Sequence, residues 1–122
     1  MEIVLAIVES HSIESLLNRT LRGRYSLTVC CSTEEGGGKL QQSPDVLILD
    51  LRVNGSIDLL EQHTTSLPRA VIVLTPVCSQ AVMQKADQLG ADFLIRIPCT
   101  GAAVLSALDV LLCKKDPSRS GG

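Results

Sequence analysis

Three apolar segments of this sequence are each followed directly by polar residues that could bind a cation or a phosphoryl group. These residues are Glu9 and Ser10 after the first segment, Asp50 after a later one and Thr75 after the next. Two carboxylates brought together repel each other unless a divalent cation lies between them or one takes up a proton. If the fold brings these positions together, Glu9 and Asp50 predict a site for a hard cation such as Mg²⁺. The structural alternative is that these acids cap helices or point into solvent.

The elements that would position these residues follow from the spacing of the apolar side chains. Short apolar runs alternate with segments of helical periodicity, and we predict strands at residues 3–8, 26–31, 46–49, 70–74 and 92–95. This alternation predicts an α/β fold, a doubly wound, flavodoxin-like three-layer sandwich whose five parallel strands run in the order 2-1-3-4-5. That order opens a crevice at the carboxyl ends of strands 1 and 3, where Glu9, Asp50 and Thr75 are expected to meet.

The second helix is the weakest element of this pattern. Glu34 and Glu35 would begin it and Leu40 would lie on its inner face. The intervening Gly36-Gly37-Gly38 segment costs about 1 kcal/mol per glycine relative to alanine in a helix. We therefore expect a short, frayed helix or a loop at this place.

Length and charge limit the classes of function. The 122 residues fit one domain, which we place at residues 1–113, and the polar residues 114–122 are expected to form a linker or tail. With 11 basic and 13 acidic residues the chain has no excess of positive charge, which predicts no direct contact with nucleic acid. No apolar run approaches the roughly 20 residues that cross a bilayer, so no membrane contact is expected.

The N-terminus and the cysteines predict a cytoplasmic location. The first residues lack the basic stretch and small-residue cleavage site of a secretory signal. The five cysteines form an odd set without a C-x-x-C pair, which indicates small apolar side chains in a reducing compartment and no zinc site.

Several short motifs together resemble the receiver domain of bacterial two-component response regulators. They are Glu9-Ser10 after the first strand, Pro44-Asp45-Val46-Leu47-Ile48-Leu49-Asp50, Thr75 after the fourth strand, and Gly90-Ala91-Asp92 leading to Pro98. The resemblance covers residues 2 to 113. The proline-to-aspartate stretch and its spacing to Gly90 and Pro98 make the combination fairly specific, although no single motif is.

The resemblance implies a role for each residue of the crevice. Asp50 would be the phosphoacceptor, a carboxylate nucleophile that takes a phosphoryl group from a histidine kinase. A Mg²⁺ ion would be held by Glu9, Asp50 and the backbone carbonyl of Arg52, with Ser10 as a weak further ligand. Thr75 would be the switch hydroxyl, which bonds the acyl phosphate and reshapes the surface of the fourth helix and the fifth strand.

The sequence departs from the family pattern at positions that support phosphorylation. Ser10 stands where most receivers have a second acid, and Ile97 stands where they have a lysine that contacts the phosphoryl oxygens. Both changes should weaken the chemistry, because a neutral hydroxyl is a poorer metal ligand and an isoleucine donates no hydrogen bond. Arg96 could replace the lysine only if the fifth strand ends before it. Leu94 stands at the position where the family has its switch aromatic residue, and Phe93 lies next to it in the sequence.

The sequence supports two hypotheses for how this domain works and one remote alternative function. The first hypothesis is a receiver domain that is phosphorylated at Asp50, inefficiently, and switches a protein-binding surface. The alternative is a pseudo-receiver that works through protein contacts without phosphorylation. A small-molecule-binding enzyme domain is remote, since the turn after the first strand has no glycine for a phosphate. The expected partners are a histidine kinase or another signalling protein, a downstream effector domain and a second copy of the chain, and no enzymatic turnover is expected beyond the phosphoryl chemistry.

Overall fold

The computed structural model describes residues 2–115, with side chains described as far as residue 112. In this part of the chain, strands and helices alternate in strict order. The strands are β1 (Ile3–Ile7), β2 (Ser26–Cys30), β3 (Val46–Asp50), β4 (Ala70–Thr75) and β5 (Phe93–Arg96). The helices are α1 (His11–Leu21), α2 (Thr33–Leu40), α3 (Ser56–Gln62), α4 (Gln80–Gln88) and α5 (Gly101–Lys115). All strand pairs are parallel and the order is β2-β1-β3-β4-β5, which confirms the predicted fold.

The hydrophobic core lies in two layers, one on each face of the sheet. Successive residues of a parallel strand point to opposite faces, so a strand buried on both sides is apolar at every position. In β3, Ile48 packs with α1 and α5, whereas Leu47 and Leu49 pack on the other face with α2 and α3. The central strands are fully buried, and the aliphatic runs of the sequence are explained by this arrangement.

The register of the sheet brings the carboxyl ends of three strands together. Ile7 of β1 pairs with Leu49 of β3, and Asp50 pairs with Leu74 of β4. The residues that follow β1 and the last residues of β3 and β4 therefore lie together at the carboxyl end of the sheet. This end contains the predicted crevice.

Helix α2 is more regular than the sequence predicts. It runs without a break from Thr33 to Leu40, and the hydroxyl of its N-cap, Ser32, accepts a hydrogen bond from the Glu35 N–H at 3.2 Å. Gly36 is buried against Ile7 of β1, and an added Cβ would overlap the end of the Ile7 side chain. The helix is short, as expected, but the expectation that it is frayed or replaced by a loop was wrong, because close packing on the sheet offsets the low helical propensity of glycine.

The last helix passes the predicted end of the domain. Helix α5 continues to Lys115, so residues 114 and 115, which were assigned to the tail, belong to it. The rest of the predicted tail, residues 116–122, lies outside the described residues. Between residues 2 and 115, none of the helices combines the length and the apolar character that crossing a bilayer requires.

Candidate functional site

Asp50 is a fully buried carboxylate at the end of the central strand. Its side chain has no solvent-exposed surface, and it lies between the ends of β1 and β4. Two backbone N–H groups donate to it, that of Glu9 to Oδ2 at 3.3 Å and that of Arg52 to Oδ1 at 2.9 Å. Hydrogen bonds of this kind favour the charged form of a carboxylate.

The guanidinium of Arg52 is the cation that faces Asp50. Its Nη2 donates to Oδ2 at 2.8 Å, and its Nε lies 3.1 Å from Oδ1 and 3.2 Å from Oδ2. A backbone turn after β3, in which the N–H of Val53 donates to the Asp50 carbonyl at 3.0 Å, brings Arg52 back over the strand end. The contact engages both carboxylate oxygens, an arrangement that the planar fork of arginine suits and a lysine cannot reproduce.

The electrostatics of the pair follow from this geometry. Burial raises the pKa of Asp50, but hydrogen bonds from the Arg52 side chain and from the two backbone N–H groups outweigh burial and hold the pKa below its ordinary value. The hydrogen bond to Asp50 in turn raises the pKa of Arg52. Both groups are therefore charged at neutral pH.

Glu9 and Ser10 follow β1 and approach the same place. The Glu9 carboxylate is about half exposed, and its Oε2 lies 3.8 Å from Nε of Arg52. Ser10 is the N-cap of α1, where its Oγ accepts a hydrogen bond from the Ile13 N–H at 3.3 Å. The structure thus brings Glu9 and Asp50 together, with the Arg52 guanidinium in contact with Asp50 and within 4 Å of Glu9.

Thr75 ends β4 beside Asp50, but its hydroxyl is engaged locally. It donates to the carbonyl of Val77 at 3.0 Å and accepts from the Val77 N–H at 3.2 Å, and the residue is buried. A bond from Thr75 to a phosphoryl group on Asp50 would therefore require this loop to rearrange.

The segment around Ile97 supplies no side-chain donor to the site. Ile97 is buried in the core, and its N–H donates to the carbonyl of Thr75 at 2.9 Å. Arg96 is the last residue of β5 and is exposed, so the strand has not ended before it and the rescue through Arg96 does not occur in this structure. Phe93 is 40% exposed and Leu94 is partly buried. Arg52, and not Arg96, is the arginine that contacts Asp50.

The resemblance implies a divalent metal ion at this site, and the side chains present do not fit one in this arrangement. Among the residues whose side chains are described, no three histidine, cysteine, aspartate or glutamate residues lie together as a metal site would require. Both oxygens of Asp50 are hydrogen-bonded to Arg52, and the Ser10 hydroxyl caps α1. A Mg²⁺ ion would have to displace the guanidinium first.

The side chain of Arg52 is the functional group that the sequence did not reveal. The resemblance gave this position only a backbone role, since family ligands are carried over by position and not by side-chain type. The available signal was a basic residue two positions after a strand-ending acid, within reach of a turn back to it. That spacing is common in loops and would not by itself predict an ion pair.

Comparison with solved structures identifies the fold. A CheY-like response regulator receiver domain protein from Methanospirillum hungatei matches with a TM-score of 0.87 and 18% identity over 97% of this chain and 98% of its own. The chemotaxis response regulator CheY4 of Vibrio cholerae matches with a TM-score of 0.79 and 23% identity over 92% and 99% of the two chains. At the level of sequence, no family model matches the chain, and a search of curated proteins found no match. The resemblance to receiver domains is thus confirmed in the fold.

Proposed function

We propose that this chain is a receiver-type signalling domain of a two-component system and that Asp50 is its phosphoacceptor. The observation that carries the proposal is the placement of Asp50, a buried carboxylate at the carboxyl end of the central strand in a fold shared with response regulator receivers. Thr75 at the end of the neighbouring strand is the matching switch hydroxyl. The expected phosphodonor is a histidine kinase, and we place the reaction in the cytoplasm.

The proposed reaction is transfer of a phosphoryl group to a carboxylate oxygen of Asp50. This oxygen attacks the phosphorus of a phosphohistidine or an acyl phosphate, the bond from phosphorus to the leaving nitrogen or oxygen breaks, and that atom keeps the electron pair. The backbone N–H groups of Glu9 and Arg52 and the guanidinium of Arg52 are the donors present to stabilise the developing charge. Because Ile97 contributes no donor and Arg52 covers both oxygens, transfer should be slow.

The output of the proposed switch is a change in a protein-binding surface. Formation of the acyl phosphate would draw the Thr75 hydroxyl away from Val77 and move the loop that leads into α4. Large exposed apolar side chains lie on this loop and on the elements beside it; they are Val77, Met83 and Phe93. A surface of this composition suits a protein partner, such as an effector domain or a second copy of the chain.

Incubation with acetyl phosphate tests the proposal directly. We expect an intact-mass increase of one phosphoryl group in the wild-type chain and none in Asp50→Asn. Asp45→Asn is the matched control, because Asp45 is a partly exposed acid at the opposite end of β3, and it should be modified like the wild type. No mass increase at saturating acetyl phosphate, or an equal increase in Asp50→Asn, would remove the phosphoacceptor role.

A second candidate function is a pseudo-receiver that binds its partner without phosphorylation. The ion pair between Asp50 and Arg52 favours it, because a carboxylate held by a guanidinium on both oxygens is a structural element as well as a potential nucleophile. This candidate predicts that beryllofluoride, which mimics a phosphoryl group, leaves the amide resonances of Thr75 and Val77 unchanged. The phosphorylated receiver predicts that both resonances shift.

A further inference from the structure

We infer that the guanidinium of Arg52 is the resident cation of the Asp50 pocket and that it excludes a divalent metal ion from it. The inference concerns regulation of the proposed site and rests on the proposed function only in taking Asp50 as the functional carboxylate. It is carried by the position of one side chain relative to two acids, and no phosphorylation step enters it.

The Arg52 guanidinium touches Asp50 and lies close to Glu9. Three hydrogen-bonding distances of 2.8 to 3.2 Å join Nε and Nη2 of Arg52 to the two oxygens of Asp50. On the side of β1, Glu9 lies 3.8 Å from the same Nε. The guanidinium therefore lies where a metal ion shared by Glu9 and Asp50 would have to bind.

The charge of the pocket also disfavours a metal ion beside Arg52. Glu9 and Asp50 contribute two negative charges and Arg52 one positive charge, which leaves a net charge of −1 when all three are ionised. A divalent ion added beside Arg52 would place two cations in contact next to the buried Asp50 carboxylate, where the repulsion is stronger than in water. Because Ser10 adds no charge and its hydroxyl is used by α1, the side chains that the structure describes give the pocket no third acid to hold both cations.

Movement of the Arg52 side chain alone would let a metal ion take its place. The Arg52 side chain is 35% exposed, so it can leave Asp50 for solvent without unfolding the turn that carries it. The metal affinity of the pocket is consequently set by how firmly Arg52 holds Asp50. Removal of the guanidinium should uncover a weak two-carboxylate site.

The experiment is a titration of the folded chain with Mn²⁺, a paramagnetic substitute for Mg²⁺, followed by broadening of the Glu9 and Arg52 amide resonances. We expect Arg52→Gln to bind Mn²⁺ at least about tenfold more tightly than the wild type, since a unit charge so near a divalent ion weakens its binding by more than this factor. Arg69→Gln is the matched control, because Arg69 also pairs with an aspartate, Asp45, at the opposite end of the sheet. It should titrate like the wild type.

Two results would overturn the inference. One is a wild-type chain that binds Mn²⁺ at these amides as tightly as Arg52→Gln, and the other is a folded Arg52→Gln that gains no affinity. If Arg52→Gln fails to fold, comparison of the wild type with Asp50→Asn still tests the inference. Mn²⁺ should broaden the Glu9 and Arg52 amide resonances equally weakly in these two chains. A wild-type site that Asp50→Asn abolishes contradicts it. No phosphodonor is present, so failure of phosphorylation with acetyl phosphate would leave this result unaffected.

Discussion

Replacement of Arg52 by glutamine is expected to lower the free energy of unfolding by about 2–3 kcal/mol at neutral pH. Breaking a fully buried ion pair costs about 3–5 kcal/mol because one charge stays buried without its partner. The loss here should be smaller, since Arg52 is 35% exposed and the Asp50 carboxylate keeps its two backbone donors. Urea unfolding monitored by circular dichroism measures the difference.

The control for this prediction is the exposed pair at the other end of the sheet. Arg69→Gln removes an arginine 4.0 Å from Asp45, where both side chains are more than a third exposed, and should cost no more than about 0.5 kcal/mol. The double variant Arg52→Gln with Asp50→Asn no longer buries an unpaired charge. It should therefore be more stable than Arg52→Gln alone, and strictly additive losses would show that the two side chains do not act as a pair.

The same variant should alter the dependence of stability on pH. The pKa of Asp50 is lower in the folded chain than its ordinary value. A group of this kind contributes stability that is present above its unfolded pKa, about 3.9, and is lost as the pH falls through the folded pKa. Since Arg52→Gln removes the main contact that lowers this pKa, the difference between wild type and variant should shrink below about pH 4. A difference that stays constant down to acid unfolding would contradict the assignment.

The fold and the neighbourhood of the site were predictable from the sequence for different physical reasons. A strand buried on both faces must be apolar at successive positions, so Val46-Leu47-Ile48-Leu49 marks a central strand without knowledge of its neighbours. Parallel pairing then places Asp50 near the residues that follow the first strand, whatever the details of the loops. The proximity of Glu9 and Asp50 could therefore be predicted from the sequence.

The partner of Asp50 was not predictable in the same way. Whether Arg52 turns back over the strand end or reaches into solvent depends on the turn after β3, and no periodic pattern encodes that choice. A similar limit explains α2, where propensity alone favours a frayed helix. The contact between Gly36 and Ile7 joins residues far apart in the sequence, and a local scale cannot include it.

The contact between Gly36 and Ile7 gives opposite expectations for alanine replacement at Gly36 and at Gly38 of α2. Gly38 is exposed with open space around it, so Gly38→Ala should raise the free energy of unfolding by about 0.5–1 kcal/mol through helix propensity alone. At Gly36 an added Cβ would lie 2.7 Å from Cγ1 of Ile7 and would overlap Cδ1. Ile7 is fully buried and has little room to move, so overpacking of about 1–3 kcal/mol should exceed the gain in propensity.

We therefore expect Gly36→Ala to be less stable than Gly38→Ala by about 1–3 kcal/mol, the cost of overpacking, measured by urea unfolding of both variants under the same conditions. Ile7→Val supplies the internal check, because it removes the Cδ1 atom that the new Cβ would overlap. On its own this change should cost about 1 kcal/mol, and it should cost less when Gly36→Ala is present. Equal stabilisation by both glycine replacements would mean that α2 does not pack on β1 through Gly36, and that its regularity must then come from another contact.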